Sequence, residues 1–145
     1  MTVCVPPEEL TGYGTLLQYK NVLTDEWVTV AGTRDLEFPE DTTEAIETTD
    51  NQSGGYRTYI PNPLAELAEV SYEMKFLWSQ FSVLRQMKQT KVVAEWRLVL
   101  MNAEQTYMSF CAFVSGLAGS IPYEELVMAT VTLRPTGAPD WGTLQ

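Results

Sequence analysis

Four carboxylates, Glu40, Asp41, Glu44 and Glu47, fall within eight residues and are the side chains of this sequence best spaced for chemistry. Two carboxyl groups flanking a bond can act as general acid and base, and several converging on one point can hold a calcium ion. Neither pattern is complete. The D-x-D-x-D-G calcium spacing is absent, and the four sit in a polar, threonine-rich run. The chain has no histidine, so the commonest general base is missing and neither Ser-His-Asp nor Cys-His arrangements can be built. Two cysteines cannot fill a four-cysteine zinc site. Cys4 lies in an N-terminal tail and Cys111 in an apolar strand pattern, which reads as two free thiols in a reducing compartment. Gly54-Gly55 precedes a strand rather than a helix and is no phosphate cradle. Of the four tryptophans, Trp27, Trp78 and Trp96 sit in alternating patterns and are expected in the core, with Trp141 as an anchor from the tail. No catalytic residue, metal or cofactor is expected. The reading that keeps the carboxylates in use is a carbohydrate-active or carbohydrate-binding β-sandwich employing Glu44, Glu47 and exposed aromatics.

The acidic residues make better sense as part of a longer unit. Residues 35–56 carry seven acids and no base. Thr42, Thr43, Thr48 and Thr49 add β-branched strand formers. The run breaks at Asn51-Gln52-Ser53-Gly54-Gly55, and a short aromatic strand follows, Tyr56-Arg57-Thr58-Tyr59-Ile60, before Pro61. This predicts a long, polar, two-stranded arm over about residues 38–60 with a glycine turn. An isolated two-stranded ribbon is marginal in water, so an ordered arm needs a partner surface, which points to assembly. The competing reading is a disordered acidic loop. The arm residues singled out are Glu40, Asp41, Glu44, Ile46, Glu47, Gly54, Gly55, Tyr56, Arg57 and Tyr59. Pro61-Asn62-Pro63 is expected to close it, because proline is excluded from central strands.

The remaining elements are mostly strands. Residues 1–11 read as an N-terminal arm. Thr15–Lys20 and Glu26–Ala31 form a hairpin. Residues 66–78 alternate with Ala68, Val70, Tyr72, Met74, Phe76 and Trp78 on one face, and read as one long strand. Residues 79–90 switch to helical spacing, with Ser79 as N-cap and Phe81, Leu84 and Met87 on the apolar side. Strands follow at 91–101, 105–115 and 124–133, separated by a turn and a loop over 116–122. Pro135 and Gly137 are expected to end regular structure, leaving a tail over 137–145. The expected fold is one mainly β domain over 1–145, an antiparallel sandwich or barrel of roughly seven or eight strands with one flanking helix.

Nineteen acids against nine bases give a formal net charge of −10 and a pI near 4.3. Such a surface disfavours gripping nucleic acid, which needs clustered cations, but does not exclude one past which nucleic acid slides. The five bases from Lys75 to Arg97 form the only basic cluster and are expected on the helix side. No signal peptide and no apolar run near a membrane span is read from the sequence, so a soluble chain made in a cytosol is expected.

The order of segments resembles the tail tube (major tail) proteins of long-tailed, non-contractile bacteriophages. The resemblance runs from about Thr15 to Trp141. It rests on Val28-Thr29-Val30-Ala31-Gly32, then Leu36-Glu37-Phe38-Pro39, then Glu47-Thr48-Thr49 with Gly55-Tyr56-Arg57-Thr58-Tyr59-Ile60-Pro61. The strand Glu69–Phe76 before the helix follows, then Phe110-Cys111-Ala112-Phe113-Val114-Ser115-Gly116 and Val131-Thr132-Leu133-Arg134-Pro135-Thr136-Gly137. No single motif is specific; the ordered set carries the likeness. It implies a structural virion protein with the fold shared by the type VI secretion tube. Hexameric rings would stack into a tube around a tape measure protein, between tail-tip and tail-terminator proteins, assembled in the bacterial cytoplasm. DNA would pass through without specific binding, no membrane would be bound, and the arm would contact the neighbouring ring. Glu69, Ser71, Glu73 and Glu95 are the residues expected to face the lumen. The alternative within the same fold group is a terminator, tail-tip or secretion ring. The chain departs from the family in its short ring-contact arms and in lacking a C-terminal immunoglobulin-like domain, so surface decoration is not expected.

Overall fold

The computed structural model describes residues 12–21, 23–52, 54–102 and 104–144. The N-terminal arm over 1–11, with Cys4, lies outside the described residues. The elements are β1 (Leu16–Lys20), β2 (Trp27–Thr29), β3 (Asp41–Glu47), β4 (Tyr59–Leu67), β5 (Val70–Lys75), α1 (Trp78–Thr90), β6 (Val93–Val99), β7 (Thr106–Ser120) and β8 (Met128–Thr143). Six strands form one antiparallel sheet in the order β2-β1-β6-β7-β8-β5, and β3 and β4 pair separately. This is the expected antiparallel, mainly β architecture with a flanking helix.

Alternation builds the sheet. Val70, Tyr72 and Met74 turn inward from β5 while Ser71, Glu73 and Lys75 turn outward. Ala94, Trp96 and Leu98 of β6, Phe110 and Ala112 of β7, and Val131 and Leu133 of β8 complete the same buried side. Helix α1 covers it with Leu84, flanked by half-buried Phe81 and Met87. The outer edge of β5 is taken up by the preceding loop: Lys75 N–H donates to the Gly32 carbonyl at 3.0 Å, and Thr33 bridges Met74. Gly32 holds φ at +76° beside the Lys75 side chain, where a Cβ would come within 3.0 Å.

Tyr72 carries a pH dependence. Its ring is fully buried and its hydroxyl donates to the Glu37 carbonyl at 2.9 Å. Burial first, and the Glu37 carboxylate second, push its ionisation far above the ordinary tyrosine value. The folded state therefore holds this proton more tightly than the unfolded chain. Its contribution is complete below about pH 10 and is lost as pH rises above it. Thermal melts should show a falling Tm above about pH 10 that Tyr72→Phe blunts, while the variant loses about 1 kcal/mol at neutral pH with its hydrogen bond. An unchanged alkaline limb in Tyr72→Phe would assign the effect elsewhere.

Several boundaries differ from the sequence reading. Residues 66–78 are not one strand: Leu67 ends β4, Val70–Lys75 is β5, and Trp78 opens α1. Ser79 does not cap the helix. Leu77 is the N-cap, without a side-chain cap, and its carbonyl accepts from Gln80 and Phe81 N–H at 3.2 and 2.9 Å. Pro61 and Pro63 lie inside β4, because a two-stranded ribbon has free edges toward which a ring nitrogen can turn. Residues 116–120 are strand, with Gly116 and Gly119 paired to Thr132 and Ala129, whereas 124–127 are not. Pro135 and Gly137 do not end regular structure, and 137–143 is no tail. Strand β8 continues to Thr143, because β5 stops pairing at Leu133 and leaves the rest of β8 an edge that tolerates proline.

Candidate assembly arm and polar sheet face

The acidic segment is an ordered antiparallel ribbon. Asp41, Thr42 and Thr43 pair with Leu67, Glu66 and Ala65, and Ala45, Ile46 and Glu47 pair with Pro61, Ile60 and Tyr59. The register shifts between Thr43 and Ala45, and opposite that shift Leu64 N–H donates to Asn62 Oδ1 at 3.0 Å. At the far end Thr48 N–H donates to the Thr58 carbonyl at 2.8 Å and Thr58 N–H to Thr49 Oγ1 at 2.9 Å. Gly54 and Gly55, at φ +68° and +83°, make the turn that a side chain would strain. The ribbon thus runs over 41–67, beyond the expected 38–60.

Among the described residues it meets the body at its base. Leu67 and Pro39 are buried, and Ala68 N–H donates to the Glu40 carbonyl at 2.7 Å. A cleft of about 230 Å³ separates Ala65–Leu67 from Gly137–Pro139 of β8. Beyond this base nearly every side chain is exposed on both faces, including Tyr56 at 81% and Leu64 at 79%, with Ile46, Tyr59 and Ile60 about half exposed. Among the described residues the ribbon thus displays five large apolar side chains to solvent, an exposed patch of the kind that marks interaction surfaces.

Glu44 and Glu47 stand three residues apart on a strand, so they point to opposite faces and cannot flank one bond. Among the described residues no three metal-ligating side chains converge.

The second feature is the outward side of the main sheet. Strand register places Ser71 beside Thr132, Glu73 beside Thr130 and Glu95 beside Cys111. Ser71 and Thr132 hydroxyls lie 3.0 Å apart, and Ser115 Oγ donates to Glu69 Oε2 at 3.5 Å. Glu69, Ser71, Glu73 and Glu95, singled out from sequence, therefore share one face, with Glu95 several strands from the others.

The basic cluster is not confined to the helix side. Lys75 shares the outward face of β5, and Arg97 that of β6. The Arg97 Nε–H donates to Gln18 Oε1 at 2.6 Å, and its guanidinium lies 4.0 Å over the Trp27 ring, with Tyr107 at 5.8 Å. Burial lowers its ionisation, and Tyr107 and Glu95 counter that shift. Trp27 is accordingly a partly exposed platform rather than core, and Trp78 is 64% exposed at the helix start. Trp96 is buried as expected, and Trp141 lies on β8 against Phe38 at 5.2 Å. Sequence reasoning also missed the β7–β8 loop, where Ile121, Tyr123 and Leu126 are exposed. Its signal was available: large apolar residues in a stretch read as partly loop.

Solved structures share this architecture. The tail of an empty gene transfer agent (GTA) particle, refined with sixfold symmetry, matches with a TM-score of 0.77 at 14% identity, covering 92% of this chain and 99% of that one. The SPP1 tail tube matches at 0.69 and 12% identity, covering 93% and 80%. The fold is the tail tube fold. A chain of the sixfold-symmetrised baseplate of the anti-feeding prophage also matches, at 0.70 and 10% identity over 98% and 97%. No family model matches the sequence, and no curated protein does.

Proposed function

We propose that this chain is a tail tube subunit, a structural virion protein whose copies close into six-membered rings that stack into the tube through which DNA is ejected. The observation that carries the reading is the ribbon of β3 and β4, exposed on both faces and projecting from a body of tail tube fold. Ring closure pairs sheet edges that would otherwise stay open, and the ribbon reaches the next ring. The outward sheet face with Glu69, Ser71, Glu73 and Glu95 lines the lumen. A tape measure protein occupies that lumen during assembly in the bacterial cytoplasm, and tail-tip and terminator proteins bind the two ends. DNA passes without specific binding. Neither catalysis nor membrane binding enters this role.

The baseplate relative favours a second reading, a single ring at the end of a tail. Negative-stain microscopy of the concentrated protein separates the two. Long tubes of uniform diameter are expected. Isolated rings select the second reading, and a protein that stays monomeric at high concentration rejects both.

A further inference from the structure

We propose that the arm of one copy seats in the groove between α1 and the β1–β2 turn of another copy. The Ile46–Ile60 face would lie against the groove's apolar lining, and the arm's carboxylates against lysines at the C-terminal end of α1. This rests on the tube reading and names the surface that receives the arm.

Charge is segregated along the chain. Residues 35–56 hold seven acids and no base, whereas residues 74–94 hold four bases and no acid. The two blocks occupy different parts of the protomer: α1 packs against β7, while the arm's β4 runs beside β8. Glu40, Asp41, Glu44 and Glu47 form no ion pair among the described residues, and neither do Lys88 and Lys91. Opposite charges left unpaired within one copy are complementary between copies.

The shapes agree with the charges. The groove has a volume of about 440 Å³, and Tyr19, Leu23, Val83, Met87 and Val92 line it with Lys20. Leu23 is 94% exposed there. Lys91 sits between two lining residues, Thr90 and Val92, and Lys88 lies about one turn before it at the same end of α1. On the arm, the pairings Ile46–Ile60 and Thr42–Glu66 put both isoleucines, Glu44 and Glu66 on one face of the ribbon. An apolar strip with carboxylates beside it thus matches an apolar groove whose one lining lysine, Lys20, pairs with Asp25 at 3.6 Å, and which lies next to the helix end that carries Lys88 and Lys91. Strand ribbons dock in this manner through alternate side chains.

A charge swap tests the seat. Lys88→Glu/Lys91→Glu should raise the critical concentration for tube formation at least about tenfold, as should Glu44→Lys/Glu66→Lys. The chain carrying all four substitutions has the parent's net charge and should assemble within about threefold of it. Circular dichroism melts confirm that each variant is folded. A parent that forms no tubes sinks the tube reading, and this proposal with it. A parent that forms tubes, with lysine reversals that assemble normally, overturns the seat alone. So does a folded four-site variant that fails to recover, which would give the groove to another occupant.

Discussion

Removing residues 43–65 and joining Thr42 to Glu66 through an Asn-Gly turn leaves a chain that folds but makes no tubes. The described residues of the excised span are exposed or half-exposed, so little buried area is lost, and Leu67 and Pro39 stay in place at the ribbon base. The backbone bond from Ala68 to the Glu40 carbonyl makes Thr42 and Glu66 a hydrogen-bonded pair two residues on, the kind of pair a two-residue type I′ turn closes. The melting temperature should stay within about 5 °C of the parent, the shift expected from roughly 1 kcal/mol or less. Assembly should fail, because on the tube reading these apolar side chains make the contact to the next ring. Sedimentation and microscopy of the two proteins decide it. Normal tubes from the shortened chain would show that the ring-to-ring contact lies elsewhere.

The second large effect concerns charge on the outward sheet face. Glu69→Lys/Glu73→Lys should leave tubes intact and make them bind DNA. The parent surface offers phosphate little, since each copy carries a formal charge of −10. Both residues are exposed and outside the core, so the fold should be unaffected. In the tube, the substitutions would create a repeating ladder of amines facing the cargo. Binding should weaken steeply with salt, because counterion release drives it. Co-sedimentation of short duplex DNA with tubes at two salt concentrations measures this, and ejection from particles carrying the variant should slow. Variant tubes that leave DNA in the supernatant at low salt would remove this face from the lumen.

The arm and the outward face of β5 were legible in the sequence for a local reason. Seven acids with threonines, a glycine pair and an aromatic return strand describe a hairpin without reference to anything distant. Ser71 and Glu73 alternate with Val70, Tyr72 and Met74, so one strand declares its own two faces. What failed depended on neighbours. Proline and glycine in β4, β7 and β8 read as terminators, yet Pro61 and Pro135 occupy strands with a free edge and Gly116 and Gly119 pair across a hairpin. Trp27 looked like core because nothing nearby in sequence reveals Arg97. Only the pairing of β1 with β2 and β6 brings Trp27, Gln18 and Arg97 together. The groove between α1 and the first hairpin is invisible for the same reason.

Pro61 in β4 has a consequence for the time before assembly. The Thr48–Thr58 bond fixes which ribbon pairs exchange hydrogen bonds, and alternate pairing puts Ile46–Ile60 in that set and Ala45–Pro61 outside it. The Pro61 nitrogen therefore faces away from β3, on the edge where a third strand would add, and has no hydrogen to offer. The irregular stretch at 62–64 interrupts the same edge, and the carboxylates repel a second ribbon. A newly made subunit can display this ribbon in a crowded cell without nucleating fibrous aggregates with its siblings. If the chain builds tubes as proposed, copies can accumulate in reserve, and the timing of growth passes from the subunit to whatever structure starts the first ring.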